Sequence, residues 1–161
     1  MQPIPSTAAI LAYKVLNRPT ERAWIDWAYD MLVAGFDTED LVILAGMQDP
    51  LNYFEMAILT DRVLSQLSFE YTNRNVVIRN YAAYLAKLGL TGERKPFSVL
   101  DELKDIHIEL GLDSPLAYFY ELYYAKEDLQ YSEDQRYIEG VDRSNIDQTI
   151  TNYFRECAGL P

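Results

Sequence analysis

The sequence predicts an all-α protein, a single compact bundle of about seven helices, and three observations lead there. Apolar residues recur at three- and four-residue spacing along most of the chain. No segment alternates apolar and polar residues between hairpin-turn residues, as a half-buried strand would. Helix-start residues and glycine stops punctuate the apolar stripes at short intervals. Short connections make consecutive helices antiparallel or angled neighbours. The helix-pair rhythm also admits solenoid-like packing, although no fixed-period repeat is visible. A length of 161 residues suits one domain spanning 1–161. Such a chain buries about 70% of its unfolded surface, enough for a core without staples.

Each element has a local reason. Ser6 is placed to cap a first helix reaching about Leu16, with Ile10, Leu11, Lys14 and Val15 at helical spacing. Pro19 suits the first turn of a second helix, on which Trp24, Trp27, Ala28 and Met31 form a stripe opposite Arg22, Asp26 and Asp30. Gly35 stops it. Asp37 is the next cap candidate, for a short helix with Leu41, Leu44 and Ala45 inward and Gly46 as its end. Asn52 and Glu55 make a capping-box pair for a helix to about Leu67. Val77, Tyr81, Tyr84, Leu85 and Leu88 define the next stripe, with Gly89 as its stop.

Residues 91–96 are the most linker-like stretch and mark a weak internal boundary, being polar with Gly92 and Pro96. Ser98 and Asp101 suggest a cap for a helix carrying Val99, Leu103, Ile106 and Leu110, ended by Gly111. Ser114 followed by Pro115 predicts a helix to about Leu129. Residues 130–143 are acidic and irregular, with a turn near Tyr137. Ser144 is the cap candidate for a last helix with Ile146, Ile150, Tyr153, Phe154 and Cys157 on one face.

Charge and composition exclude several functions. Lys and Arg number 14 against 25 Asp and Glu, a net charge of -11. Phosphate binding needs clustered cations, so a general nucleic-acid binder is not expected. Docking on anionic membranes is not expected either, and no apolar run approaches the roughly 18 residues of a span. The single cysteine excludes an internal disulfide framework. With no basic leader before an apolar stretch, a cytoplasmic setting is the expectation.

No enzymatic motif emerges, and neither a cofactor nor a metal is expected. There is no nucleophile elbow, phosphate loop or dinucleotide fingerprint. His107, the only histidine, sits at the edge of an apolar stripe and reads as a hydrogen-bonded core residue. Asp101, Asp105 and Glu109 share a helix face, which reads as a solvated acidic edge. Residues 139–142 lack the ligand pattern of a calcium loop. Cys157 lies near a helix C-terminus, where thiolates are not favoured, and reads as a small core residue. Residues 35–67 have a helix-turn-helix outline, but the would-be recognition helix offers Arg62 as its only cation. Residues 71–96 are locally basic, with Arg74, Arg79, Lys87, Arg94 and Lys95 against Glu93, and are expected to face the acidic C-terminal segment or an anionic partner.

The aromatic content carries the functional lead. The chain has 13 Tyr, 6 Phe and 2 Trp. Tyr118, Phe119, Tyr120, Tyr123 and Tyr124 cover most of one helix's circumference, as expected for a central helix or for one presenting a face to a partner. Tyrosine is enriched in binding hot spots, and acids interleaved with it suit a basic partner. The candidate contact surface is Tyr120, Tyr124, Glu127, Asp128, Tyr131, Glu133, Asp134 and Tyr137.

Residues 23–32 (Ala-Trp-Ile-Asp-Trp-Ala-Tyr-Asp-Met-Leu), Gly35-Phe36-Asp37-Thr38, Leu44-Ala45-Gly46 and Asn52-Tyr53-Phe54-Glu55 resemble a pattern in small uncharacterised bacterial helical proteins. The resemblance covers roughly residues 20–70. It implies a helical fold and a bacterial origin, and it carries no activity. The leading expectation is a small acidic interaction module, not an enzyme, that binds a basic protein. Immunity proteins and antitoxins share this physical profile. The alternatives are a carboxylate-based metal enzyme using Asp26, Asp30, Asp101 and Asp105, or a structural homodimer.

Overall fold

The structure, a computed structural model, describes residues 2–19 and 21–161. Among the described residues it is all-helical, with eight helices and no strand. No helix among them is long and apolar enough to cross a membrane. The chain divides into two compact units, Met1–Val77 and Ile78–Pro161.

The first unit contains α1 (Thr7–Val15), α2 (Arg22–Val33), α3 (Glu39–Ala45) and α4 (Tyr53–Gln66). Trp24, Trp27, Ala28 and Met31 of α2 pack with Leu41 and Leu44 of α3 and Met56, Val63 and Leu64 of α4. This is the stripe expected from the sequence. The Asn52 side chain accepts from the Glu55 N–H at 3.1 Å, as the capping-box spacing predicts. Gly35, at φ 102°, closes α2: its N–H reaches the Leu32 carbonyl and the Phe36 N–H reaches Met31. The paired bonds satisfy two terminal carbonyls, and the left-handed backbone they require costs glycine little. Asn17 and Ser68 do the same for α1 and α4 with side chains that pay a steric penalty.

Two start signals in this unit act differently from their sequence reading. Pro19 lies ahead of α2, which begins at Arg22. Thr38, not Asp37, caps α3 by accepting from the Leu41 N–H at 3.3 Å. Lys14 falls on the apolar spacing of α1 because its side chain packs inward, with its amine at the core's edge over the buried Trp24 ring. The amine donates to the Thr60 hydroxyl at 2.8 Å and pairs with Asp61 at 2.8 Å.

Helix α5 (Arg74–Thr91) begins in the first unit and continues into the second, which adds α6 (Pro96–Glu109), α7 (Ala117–Tyr131) and α8 (Ile146–Cys157). Gly89 does not stop α5. It sits inside the helix because a Cβ there would meet the Phe154 ring at 2.7 Å. Pro96 takes the first position of α6, so the expected Ser98 cap is already inside the helix, where Ser98 accepts from Arg94 at 2.9 Å. α7 starts at Ala117, later than the Ser114-Pro115 signal, although the Ser114 hydroxyl still accepts from the Leu116 N–H at 3.2 Å while meeting His107 Nδ1 at 2.7 Å. α8 takes Asn145 at its N-cap position in place of Ser144, whose hydroxyl donates to Asp142.

Between α7 and α8, residues 132–145 are irregular but organised by one side chain. The Gln135 amide donates to the Ile138 and Val141 carbonyls and accepts from the N–H groups of Tyr137 and Ile138. Arg143 anchors the far end on the Leu129 carbonyl at 2.7 Å.

Candidate functional site

The tyrosine helix is built on a buried stripe of Phe119, Leu122, Ala125 and Leu129. With that stripe inward, Tyr120 and Tyr124, four residues apart, lie side by side on an adjacent, half-buried face. Their rings meet edge to face at 4.9 Å between centroids. Tyr124 also stacks on Tyr137 of the 132–145 loop at 5.6 Å, and Tyr120 meets the His107 ring at 5.4 Å. Such contacts are worth about 0.5–1.5 kcal/mol each beyond area burial. They hold Tyr137 against α7, which the position of Tyr137 in an irregular segment does not announce.

The acids divide into two groups. Glu127 and Asp128 are close enough to act electrostatically on the Tyr137 phenol. Burial raises the pKa of that phenol first, and Asp128, Tyr120, Tyr124 and Glu127 add to the rise, so it stays a neutral donor. Glu133 and Asp134 are exposed on the loop, and Tyr131, 84% exposed, makes no ring contact among the described residues. The structure therefore joins Tyr120, Tyr124, Tyr137, Glu127 and Asp128, while Tyr131, Glu133 and Asp134 stand apart as open surface. None of the four acids forms an ion pair among the described residues.

The ring chain extends to residues outside the sequence-derived set. Tyr123 touches Tyr124 at 5.1 Å and stacks on Phe97 at 4.9 Å. The Lys104 amine sits 4.4 Å from the Tyr123 ring centroid and pairs with Asp101 at 2.9 Å and Asp105 at 2.6 Å. Burial pulls the Lys104 pKa down, but the bonds to Asp105 and Asp101 outweigh it and hold the amine above the ordinary lysine value. The available signal was Lys104 at three residues and one residue from those two acids. Asp101, Asp105 and Glu109 are exposed, as a solvated acidic edge requires, and two of them, Asp101 and Asp105, also hold the Lys104 amine against Tyr123.

His107 is 4% exposed and its Nδ1 is 2.7 Å from the Ser114 hydroxyl. Burial lowers its pKa, opposed by Asp113 and Glu121. A depressed folded-state pKa contributes stability that is present above the unfolded value of about 6.5 and is lost as pH falls through the folded value. Wild-type protein is therefore expected to lose melting temperature between pH 7.5 and 5.5 faster than a His107→Gln variant. Parallel curves over that window would contradict the assignment.

The other motifs resolve locally. Arg62 of α4 grips Asp40 through both carboxylate oxygens, at 3.2 and 3.3 Å, so the one cation of the helix-turn-helix outline is occupied. Arg94 of the basic stretch pairs with Glu102 at 2.9 Å rather than with the acidic segment after α7. Among the described residues no three His, Cys, Asp or Glu side chains are grouped to hold a metal ion. Asp26 pairs with Arg22, and Asp101 and Asp105 with Lys104. Comparison with models of known families, with curated proteins and with solved structures yields no match.

Proposed function

We propose that this chain is a protein-interaction module that docks a basic protein segment on the Tyr- and acid-bearing face of α7 and the 132–145 loop. The observation that carries this reading is the adjoining, uncompensated acids beside a fixed ring chain. Tyr120, Tyr124 and Tyr137 are locked together, with Glu127 and Asp128 next to them and no cation neutralising either acid. Rings held in place lose little entropy on binding, and unpaired acids beside them reward a Lys or Arg side chain. The Lys104 triad supports the chemistry, since there the chain places its own ammonium over a tyrosine between two aspartates. The net charge of -11 would steer a basic partner inward.

The experiment is capture of a partner from lysate of the source organism by immobilised wild type, at low and high salt, beside two variants. Glu127→Lys with Asp128→Lys reverses the local charge. Tyr131→Ala with Tyr137→Ala leaves the net charge unchanged. One stoichiometric partner, lost at high salt and weakened about thirtyfold or more by either variant, is the expected result. Both variants should stay folded with melting temperatures within a few degrees of wild type, since Tyr131 is 84% exposed and losing the Tyr137 stack on Tyr124 costs only about 0.5–1.5 kcal/mol. Capture that survives the tyrosine variant would mean simple ion exchange and would sink the proposal.

A further inference from the structure

Away from the ring chain, α5, the entry to α7 and the end of α8 enclose a crevice of about 190 Å³. Its floor is apolar, formed by Leu116 and Phe119, both buried, with Ala82 of α5 beside them. Its rim is polar. Arg79 is exposed and makes no hydrogen bond or ion pair among the described residues. Opposite it, Tyr153 and Cys157, one helical turn apart on α8, are half-buried. Burial raises both of their pKa values, so at neutral pH they are O–H and S–H groups rather than anions. The guanidinium is therefore the one charge in the crevice lining.

We propose that this crevice binds a compact organic monocarboxylate with an apolar body, about the size of benzoate. The guanidinium fork matches a carboxylate through two parallel hydrogen bonds. Leu116 and Phe119 give the apolar body a dry surface. Volume limits the size, because 190 Å³ is about six waters' share of liquid. That is below the roughly 300–1,000 Å³ of pockets that take larger ligands, so a nucleotide does not fit. Charge limits the class as well. Glu156 acts electrostatically on both Tyr153 and Cys157, and this disfavours a dianion such as phosphate. The site shares no residue with the proposed docking face, so it stands or falls independently of it.

The test uses the purified full chain with benzoate, benzyl alcohol and inorganic phosphate as probes. Benzoate is expected to bind saturably with a Kd in about the millimolar range. Benzyl alcohol and phosphate should bind at least about tenfold more weakly. Arg79→Gln should weaken benzoate by about tenfold or more while leaving the melting temperature unchanged, since Arg79 holds nothing in the fold. The single cysteine supplies a second readout. Alkylation of Cys157 by iodoacetamide should slow several-fold when benzoate saturates the wild type, and should not slow at the same concentration in Arg79→Gln. Non-saturable benzoate binding, equal affinity for benzyl alcohol, or alkylation indifferent to benzoate would each overturn the proposal.

Discussion

In a chain already carrying Phe154→Ala, Gly89→Ala is expected to stabilise the second unit, and in the wild type the same change is expected to destabilise it. Alanine gains about 1 kcal/mol over glycine inside a helix. In the wild type that gain meets a collision, because the new Cβ would stand 2.7 Å from Phe154 Cε2 and 3.0 Å from Cδ2. Phe154 is 1% exposed and backed by Phe119 at 6.1 Å, so it has little room to retreat. Overpacking of this kind costs about 1–3 kcal/mol, which outweighs the helix gain. Phe154→Ala alone should cost about 3–5 kcal/mol as a cavity in a packed core. Denaturant melts of the four proteins give the coupling directly. An effect of Gly89→Ala that keeps one sign in both backgrounds would show that the close approach does not explain the glycine.

The second large effect is expected at Trp27. Trp27→Ala should cost about 3–5 kcal/mol, since the indole is buried among Trp24, Phe69 and Met31. Part of that loss is polar. Trp27 Nε1 donates to the Thr7 hydroxyl at 3.0 Å, and Thr7 is itself buried. Trp27→Phe keeps most of the ring but leaves the Thr7 oxygen without its donor, a penalty of about 1–3 kcal/mol. Thr7→Val should recover part of it in the Trp27→Phe background. Trp24 provides the contrast, for its buried Nε1 has no hydrogen-bond partner. Trp24→Phe is therefore expected to cost less than Trp27→Phe. Equal losses at the two positions would argue against a polar contribution at Trp27.

The same pair of tryptophans shows where legibility ends. Their common face, with Ala28 and Met31, follows from three- and four-residue spacing alone. That only one of the two indoles finds a hydrogen-bond partner depends on α1, which spacing within α2 cannot report. Caps divide in the same way. Asn52 with Glu55 and the Gly35 stop are complete within four or five residues and fold as read. Ser114 accepts from the Leu116 N–H ahead of α7, yet the helix begins only at Ala117 and the same hydroxyl also meets His107 of α6. Gly89 fails as a stop because its missing side chain serves Phe154 of another helix.

The candidate surface divides likewise. Tyr120, Tyr124, Glu127, Asp128 and Tyr131 share a helix face by spacing, so their grouping was visible in the one-dimensional pattern. Tyr137 joins them only because Gln135 folds the following loop back, and Phe97 and Lys104 only because α6 packs on α7. The crevice beneath Arg79 combines residues from three elements and has no local signature. By itself, then, the sequence determined the helical class, the inward stripes, the local caps and the acidic character, because each depends on neighbours within about two turns. Tertiary structure alone decided which rings touch, which acids stay unpaired and where a cavity forms, because those depend on which side chains distant helices bring to the same place.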